Sequence, residues 1–499
     1  MLKNKLQSEY PHVNFEVINL GISAVNTITI REIIDDVLEE NPDLILFYAG
    51  HNEYYGALGP ASNVSGLNIP FITRLVLDLK EFRTVQLLEN LIGNTISALS
   101  KKSQSNKTLM SEMAGKNLVP LNSDKFNSGV TQFESNLEYI LSRCVKEKVQ
   151  IMVGTLTSNL MQYPLCKFAG CDSLSVEFNK IINDSLLATK ENLYNFKEKD
   201  ELRFRAPQIF NDVIFRKSIK YNCAIFDVKK EFEKNSPNGI IGKNLMLDHL
   251  HPNFEGNSII ATILFGLIKK NEKLYLLASR KILTPELTSF PFRTYTDLDS
   301  SFANLRIKYL KGDFPFVEEK DNSLLKKSLQ SLEDSTAQEI VDGKISWENA
   351  HLKLAEAYFN KKDFSRFMEE INVLIEDKPF DKFPYVEAMK YLEKVNKTDF
   401  LKYILHKYYK IYPELFAANK LGDIYFNESK HSEAIFYYEK CVVEKSDPRI
   451  FFNLSACYFA KKDLDMALKS IRKCLEKNPN YPNANKIYSG LLNIRKSKK

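Results

Sequence analysis

Residues 43–53 read Asp-Leu-Ile-Leu-Phe-Tyr-Ala-Gly-His-Asn-Glu. The apolar stretch 43–49 has no polar interruption between Leu44 and Ala49, and it stops at Gly50. A run of this length reads as a strand buried on both faces, the pattern of a parallel sheet with helices on each side. His51, Asn52 and Glu53 then follow at once. In parallel α/β sheets ligands bind beyond the carboxyl ends of the strands. A buried strand that ends in three polar residues therefore points to a site at its end.

The surrounding sequence repeats this strand rhythm. Residues 149–156 (VQIMVGTL) and 223–228 (CAIFDV) read as two more buried strands, and residues 16–20 (EVINL) as a shorter one ending at Gly21. Ile30, Ile33, Ile34, Val37 and Leu38 recur at helical spacing, with Thr29 and Glu32 placed as a capping box and Asn41-Pro42 as the stop. Further helical patterns precede the second and third runs, near 130–148 and 207–220, and another follows Pro252, near 255–270. Alternating strands and helices predict an α/β domain with a parallel sheet over residues 1–272. Residues 57–129 interrupt the rhythm as a helical insertion, amphipathic over 71–99, directly after the polar turn.

The rest of the chain has a different period. Leu421-Gly422, Tyr425, Ala434, Tyr438 and Cys441 recur 33 residues later as Leu454-Ser455, Tyr458, Ala467, Ile471 and Cys474, and Pro479 closes the second unit. Leu354-Ala355, Tyr358, Phe367, Ile371, Leu374 and Pro379 share the internal spacing. This pattern resembles the tetratricopeptide repeat, a helix–turn–helix unit of ~34 residues. It predicts helical repeats over 346–499, degenerate at 380–413, after a partly helical connector at 273–345. Such repeats imply a protein partner.

Composition narrows the function classes. The chain has 499 residues, 44% of them hydrophobic, enough for two domains with cores of their own. Its 69 Lys and Arg against 63 Asp and Glu leave +6, with no basic stripe interleaved with aromatics, so nothing points to nucleic acid. No stretch of eighteen apolar residues reads as a membrane span, no nucleotide-binding fingerprint implies a cofactor, and nothing fixes a compartment. Seven cysteines show no zinc spacing; Cys166 and Cys171 read as small loop or core residues.

Three polar clusters follow the strand candidates: Gly21 with its neighbours, Gly50-His51-Asn52-Glu53, and Asp248-His249-Leu250-His251-Pro252. With Ser158-Asn159-Leu160, Arg203-Phe204-Arg205-Ala206-Pro207 and the repeats, they resemble the SGNH (GDSL-type) hydrolases, in the subgroup where that domain precedes helical repeats. The resemblance implies a flavodoxin-like sheet and the hydrolysis of acyl or acetyl esters. It makes His251 the general base and later acid, and Asp248 the residue that orients and stabilises its imidazolium. The Asn52 amide and the Gly21 N–H become oxyanion donors, and His51, Glu53 and Tyr54 line the pocket. Arg203 and Arg205 read as a solvated helix start, with contact to an anionic substrate group as the alternative. The family's nucleophilic serine lies on a strand some tens of residues before the glycine at position 21, where this chain has only twenty residues. The expectation is a chain that starts upstream of Met1, or else a degenerate, inactive domain serving as a binding module. Two rivals remain: Ser23 as a nucleophile in a strand–helix elbow, and a metal site from His51, Asp248, His249 and His251.

Overall fold

A computed structural model describes residues 1–10, 13, 15–22, 24–62, 114, 117–271, 292, 295–318, 331–442 and 447–497. The helical expectation for 71–99 and the candidate Ser23 lie outside the described residues. Two compact units emerge, one of residues 1–282 with 305–327, the other of 283–304 with 328–499. The division therefore runs through the expected connector.

Three of the four strand candidates form the sheet of the first unit. β1 (Leu44–Phe47), β2 (Gln150–Gly154) and β3 (Ala224–Phe226) pair in parallel in the order β1-β2-β3. Side chains alternate faces along each strand. Ile45, Phe47, Ile151 and Val153 point into one core, filled from α2 (Thr27–Glu39), α3 (Asp124–Lys146) and α6 (Gln208–Lys220). Leu44, Leu46, Met152 and Phe226 point into the other, filled from α1 (Leu2–Glu9), α4 (Asp172–Asn183), α5 (Lys190–Lys197), α7 (Val228–Lys234) and α8 (Phe254–Lys269). Burial on both faces is why these strands read as unbroken apolar runs.

Residues 16–20 depart from expectation. They form no strand, and Val17, Ile18, Leu20 and Ile22 are 46%, 69%, 53% and 64% exposed. The apolar letters of EVINL are genuine, but a strand also needs a neighbour for its N–H and C=O groups, and this segment has no ladder partner among the described residues. The cap of α2 is corrected as well: Asn26 is the N-cap, its side chain accepting from the Thr29 N–H, in place of the Thr29–Glu32 box.

The second unit is entirely helical among the described residues. After α9 (Asp297–Lys311), whose residues are divided between the units, and α10 (Leu332–Val341), helices run in pairs: α11 (Trp347–Asn360) with α12 (Phe364–Asp377), α13 (Lys382–Lys394) with α14 (Thr398–Ile411), α15 (Leu415–Asn427) with α16 (His431–Lys440), and α17 (Pro448–Ala460) with α18 (Leu464–Lys477). α19 (Ala484–Ser497) ends the series. The stretch 380–413, degenerate in sequence, is a regular helix pair. Gly422 shows why small residues recur: a Cβ there would come within 2.6 Å of the Tyr438 ring. In all, nineteen α-helices are described, and none is long and apolar enough to cross a membrane.

Candidate functional site

The loop after residue 247 carries a histidine–carboxylate pair. Asp248 is fully buried; its Oδ1 accepts from the Leu250 N–H at 2.9 Å and the His251 N–H at 2.8 Å. Its Oδ2 lies 2.7 Å from His251 Nδ1. Three residues of spacing suffice because the loop folds back on itself, with the Leu247 N–H donating to the His251 carbonyl. The His251 side chain is 58% exposed, so its other ring nitrogen is open to a reacting group. Burial would pull the His251 pKa down, but the hydrogen bond and charge of Asp248 hold it above its ordinary value. Burial pushes Asp248 up, and the hydrogen bond from His251 outweighs it, leaving a strongly depressed carboxyl pKa. The result is an ionised, water-shielded carboxylate behind an accessible imidazole, the arrangement of a general base with its orienting partner.

The turn after β1 is tied down by its side chains. Asn52 Nδ2 donates to the Val25 carbonyl at 3.2 Å, and the Asn26 side chain donates to Ala57, so residues 25–26 dock on this turn. Gly21 lies earlier on that segment and is exposed; its N–H donates to Asn19 Oδ1 at 2.9 Å. The expected oxyanion donor is therefore already engaged locally.

The three expected pocket-lining residues are interior. Glu53 is fully buried and accepts from the Thr27 N–H and hydroxyl and from Gln132, at 3.1, 2.7 and 2.6 Å. Its carboxylate sits at the start of α2, where the helix dipole favours negative charge. Tyr54 is equally buried, stacked on Phe126 and Phe210, with its hydroxyl on the Phe126 carbonyl. Gly129 leaves room for this ring, since a Cβ there would approach it to 2.3 Å. His51 is 9% exposed and its Nδ1 accepts from the Ala206 N–H at 3.1 Å, which places the proton of the neutral ring on Nε2. Burial drives its pKa down to about 3, and the same holds for His249.

Arg203 and Arg205 are not a solvated helix start; they are 2% and 4% exposed. Arg203 donates to the carbonyls of Val119 and Glu198. Arg205 pairs with buried Asp200 at 2.8 Å and donates to the Asn159 carbonyl at 3.1 Å. Asn159 in turn grips the 248–251 loop, its N–H on the His249 carbonyl and its Nδ2 on the Asp248 carbonyl. The sequence offered a signal for Asn159, a polar triplet directly after the second strand, but none for the burial of the arginines.

No set of three His, Cys, Asp or Glu groups converges on a metal-sized site among the described residues. The metal reading of His51, Asp248, His249 and His251 fails on geometry, since His51 is committed to Ala206 and Asp248 to His251. Cys166 and Cys171, read as small loop or core residues, are joined by a disulfide.

In the second unit, exposed apolar side chains collect on the first helices of two pairs: Phe383 and Val386 on α13, Leu415 and Phe416 on α15. Residues 417–442 and 448–481 match the tetratricopeptide repeat family. Curated relatives that match include mitochondrial import receptor subunit TOM70 from two Saccharomyces cerevisiae strains, YJM789 and ATCC 204508 / S288c. Each is 37% identical over 65 residues, 13% of this chain and 10% of the relative. The chain thus contains tetratricopeptide repeats and resembles these relatives over a small part of their length.

Proposed function

We propose that the first unit is an ester hydrolase of the SGNH type and that the repeats bring a protein partner to it. The supporting observation is the His251–Asp248 pair at 2.7 Å, with a buried carboxylate and an exposed ring. In this reading His251 takes the proton of an attacking hydroxyl, that oxygen adds to the ester carbonyl, and the imidazolium returns the proton to the departing alcohol; a water activated by the same ring then displaces the hydroxyl oxygen from the acyl group and releases the acid. The second N–H of the Asn52 amide, whose first is held by the Val25 carbonyl, stabilises the oxyanion. The three-stranded parallel sheet covered on both faces fits a flavodoxin-like core, and acyl or acetyl esters are the substrate class that the resemblance implies. Exposed Phe383, Val386, Leu415 and Phe416 support a protein-binding role for the repeats.

A second reading is a binding module without turnover. It is favoured by the Gly21 N–H being held by Asn19, and by the lack of any serine hydroxyl bonded to His251 among the described residues. Hydrolysis of 4-nitrophenyl acetate by the full chain and by its His251→Ala variant separates the two. The enzyme reading expects at least a ~100-fold loss in the variant. Equal turnover by both proteins supports the binding module.

A further inference from the structure

The loop that carries His251 is held from behind by residues that take no part in the proposed chemistry. Asn159 follows β2 and touches that loop twice. Its N–H donates to the His249 carbonyl at 3.0 Å, and its Nδ2 donates to the Asp248 carbonyl at 2.9 Å. The amide orientation is set internally, because Asn159 Oδ1 accepts from the Met161 N–H at 2.9 Å and leaves only Nδ2 to face Asp248. Asn159 is itself fixed by Arg205, whose guanidinium bridges the Asn159 carbonyl and Asp200. The Asp200 carboxylate is anchored by the N–H groups of Leu165, Cys166 and Leu202. One residue beyond Arg205, the Ala206 N–H holds His51 in the opposite turn. A single buried segment therefore fixes both polar turns.

We infer that Asn159 and Arg205 are positioning residues that hold the Asp248 carboxylate on His251. Asp248 bonds His251 through its side chain while Asn159 restrains its main chain, so releasing that carbonyl frees the whole turn to shift. A Lys at 205 would keep the charge but could not form the fork that spans Asp200 and Asn159 at once. The significance for catalysis rests on the hydrolase reading, but the geometric effect does not.

The test is a histidine-selective NMR titration of the full chain, which has seven histidines. In the wild type His251 titrates above the ordinary value of ~6.5. In Asn159→Ala its midpoint is expected to drop toward that value as the Asp248 carboxylate moves off the ring. Arg205→Lys is expected to shift it in the same direction. His351, in the other unit and raised to about 8, is expected to stay put, and near-ultraviolet circular dichroism of each variant reports that the first unit is folded. Should Arg205→Lys fail to fold, Asn159→Ala decides alone. An unchanged His251 midpoint in folded Asn159→Ala overturns the inference. Because the readout needs no turnover, a protein that hydrolyses no ester can still show the shift, and the two ideas fail separately.

Discussion

Each unit of this chain holds a histidine against carboxylate, and the two arrangements are opposite in exposure. In the first, Asp248 is buried while the His251 side chain is 58% exposed. In the second, His351 has no exposed surface and lies between Glu370, 2.5 Å from Nδ1, and Asp299, 3.3 Å from Nε2. Trp347 closes the second cluster, its indole N–H on Asp299 and its ring 4.2 Å from the imidazole. Both histidines are drawn down by burial and lifted further by their carboxylates, His351 to about 8. A raised pKa alone does not separate function from structure. Access does: one ring can meet a substrate, while the other is buried, bonded through Nδ1 to Glu370 on α12 and placed against Asp299 at the start of α9.

Substitutions should separate the two in kind. Asp248→Asn is expected to cost the largest effect, roughly 10³- to 10⁴-fold in ester turnover, since the imidazole loses its orienting charge. Steady-state kinetics with a folded variant checks this, and a loss under tenfold would erase the distinction. His351→Ala should leave turnover alone and destabilise the repeats by about 3 kcal/mol, because it strands the buried Glu370 carboxylate. Thermal unfolding of the full chain reads that loss.

The pH response sharpens the contrast further. The folded His351 pKa lies above the unfolded value, so its stabilisation is complete below ~6.5 and disappears as pH rises through about 8. A shift of that size corresponds to about 2 kcal/mol. His406, pushed down to about 4, and Cys441 and Cys457, pushed up to about 11, also respond across this range, so the difference between urea titrations of the second unit at pH 6 and pH 9 should change by that amount from wild type to His351→Ala. The smallest expected effect belongs to the exposed segment: Ile18→Ser should change stability by no more than ~0.5 kcal/mol. A cost of 2 kcal/mol or more, measured by the same titrations, would restore the strand reading of residues 16–20.

Legibility in the sequence followed the range of the deciding interaction. Three strands could be read because burial on both faces leaves an unbroken apolar run. Residues 16–20 misled because the same letters occur in an extended segment with no ladder partner, and pairing is not written locally. Asp248 and His251 were legible as a short-range motif. Glu53 and Tyr54 were not, since their partners Thr27, Gln132 and Phe126 lie far away in sequence. The helix pair at 382–411 escaped the repeat pattern because large buried residues, Tyr385, Tyr403 and Tyr408, fill it. The buried arginines are the hardest case. Only the fold reveals that Arg205 reaches Asp200 and Asn159 rather than water.

Ester hydrolysis by the first unit depends most on His251 acting as an accessible base oriented by Asp248. The most direct test is the pH dependence of 4-nitrophenyl acetate hydrolysis by the full chain. The rate is expected to rise with pH as His251 loses its proton, with a midpoint above ~6.5, and this step is expected to move down in Asp248→Asn. A profile identical in wild type, Asp248→Asn and His251→Ala would contradict it.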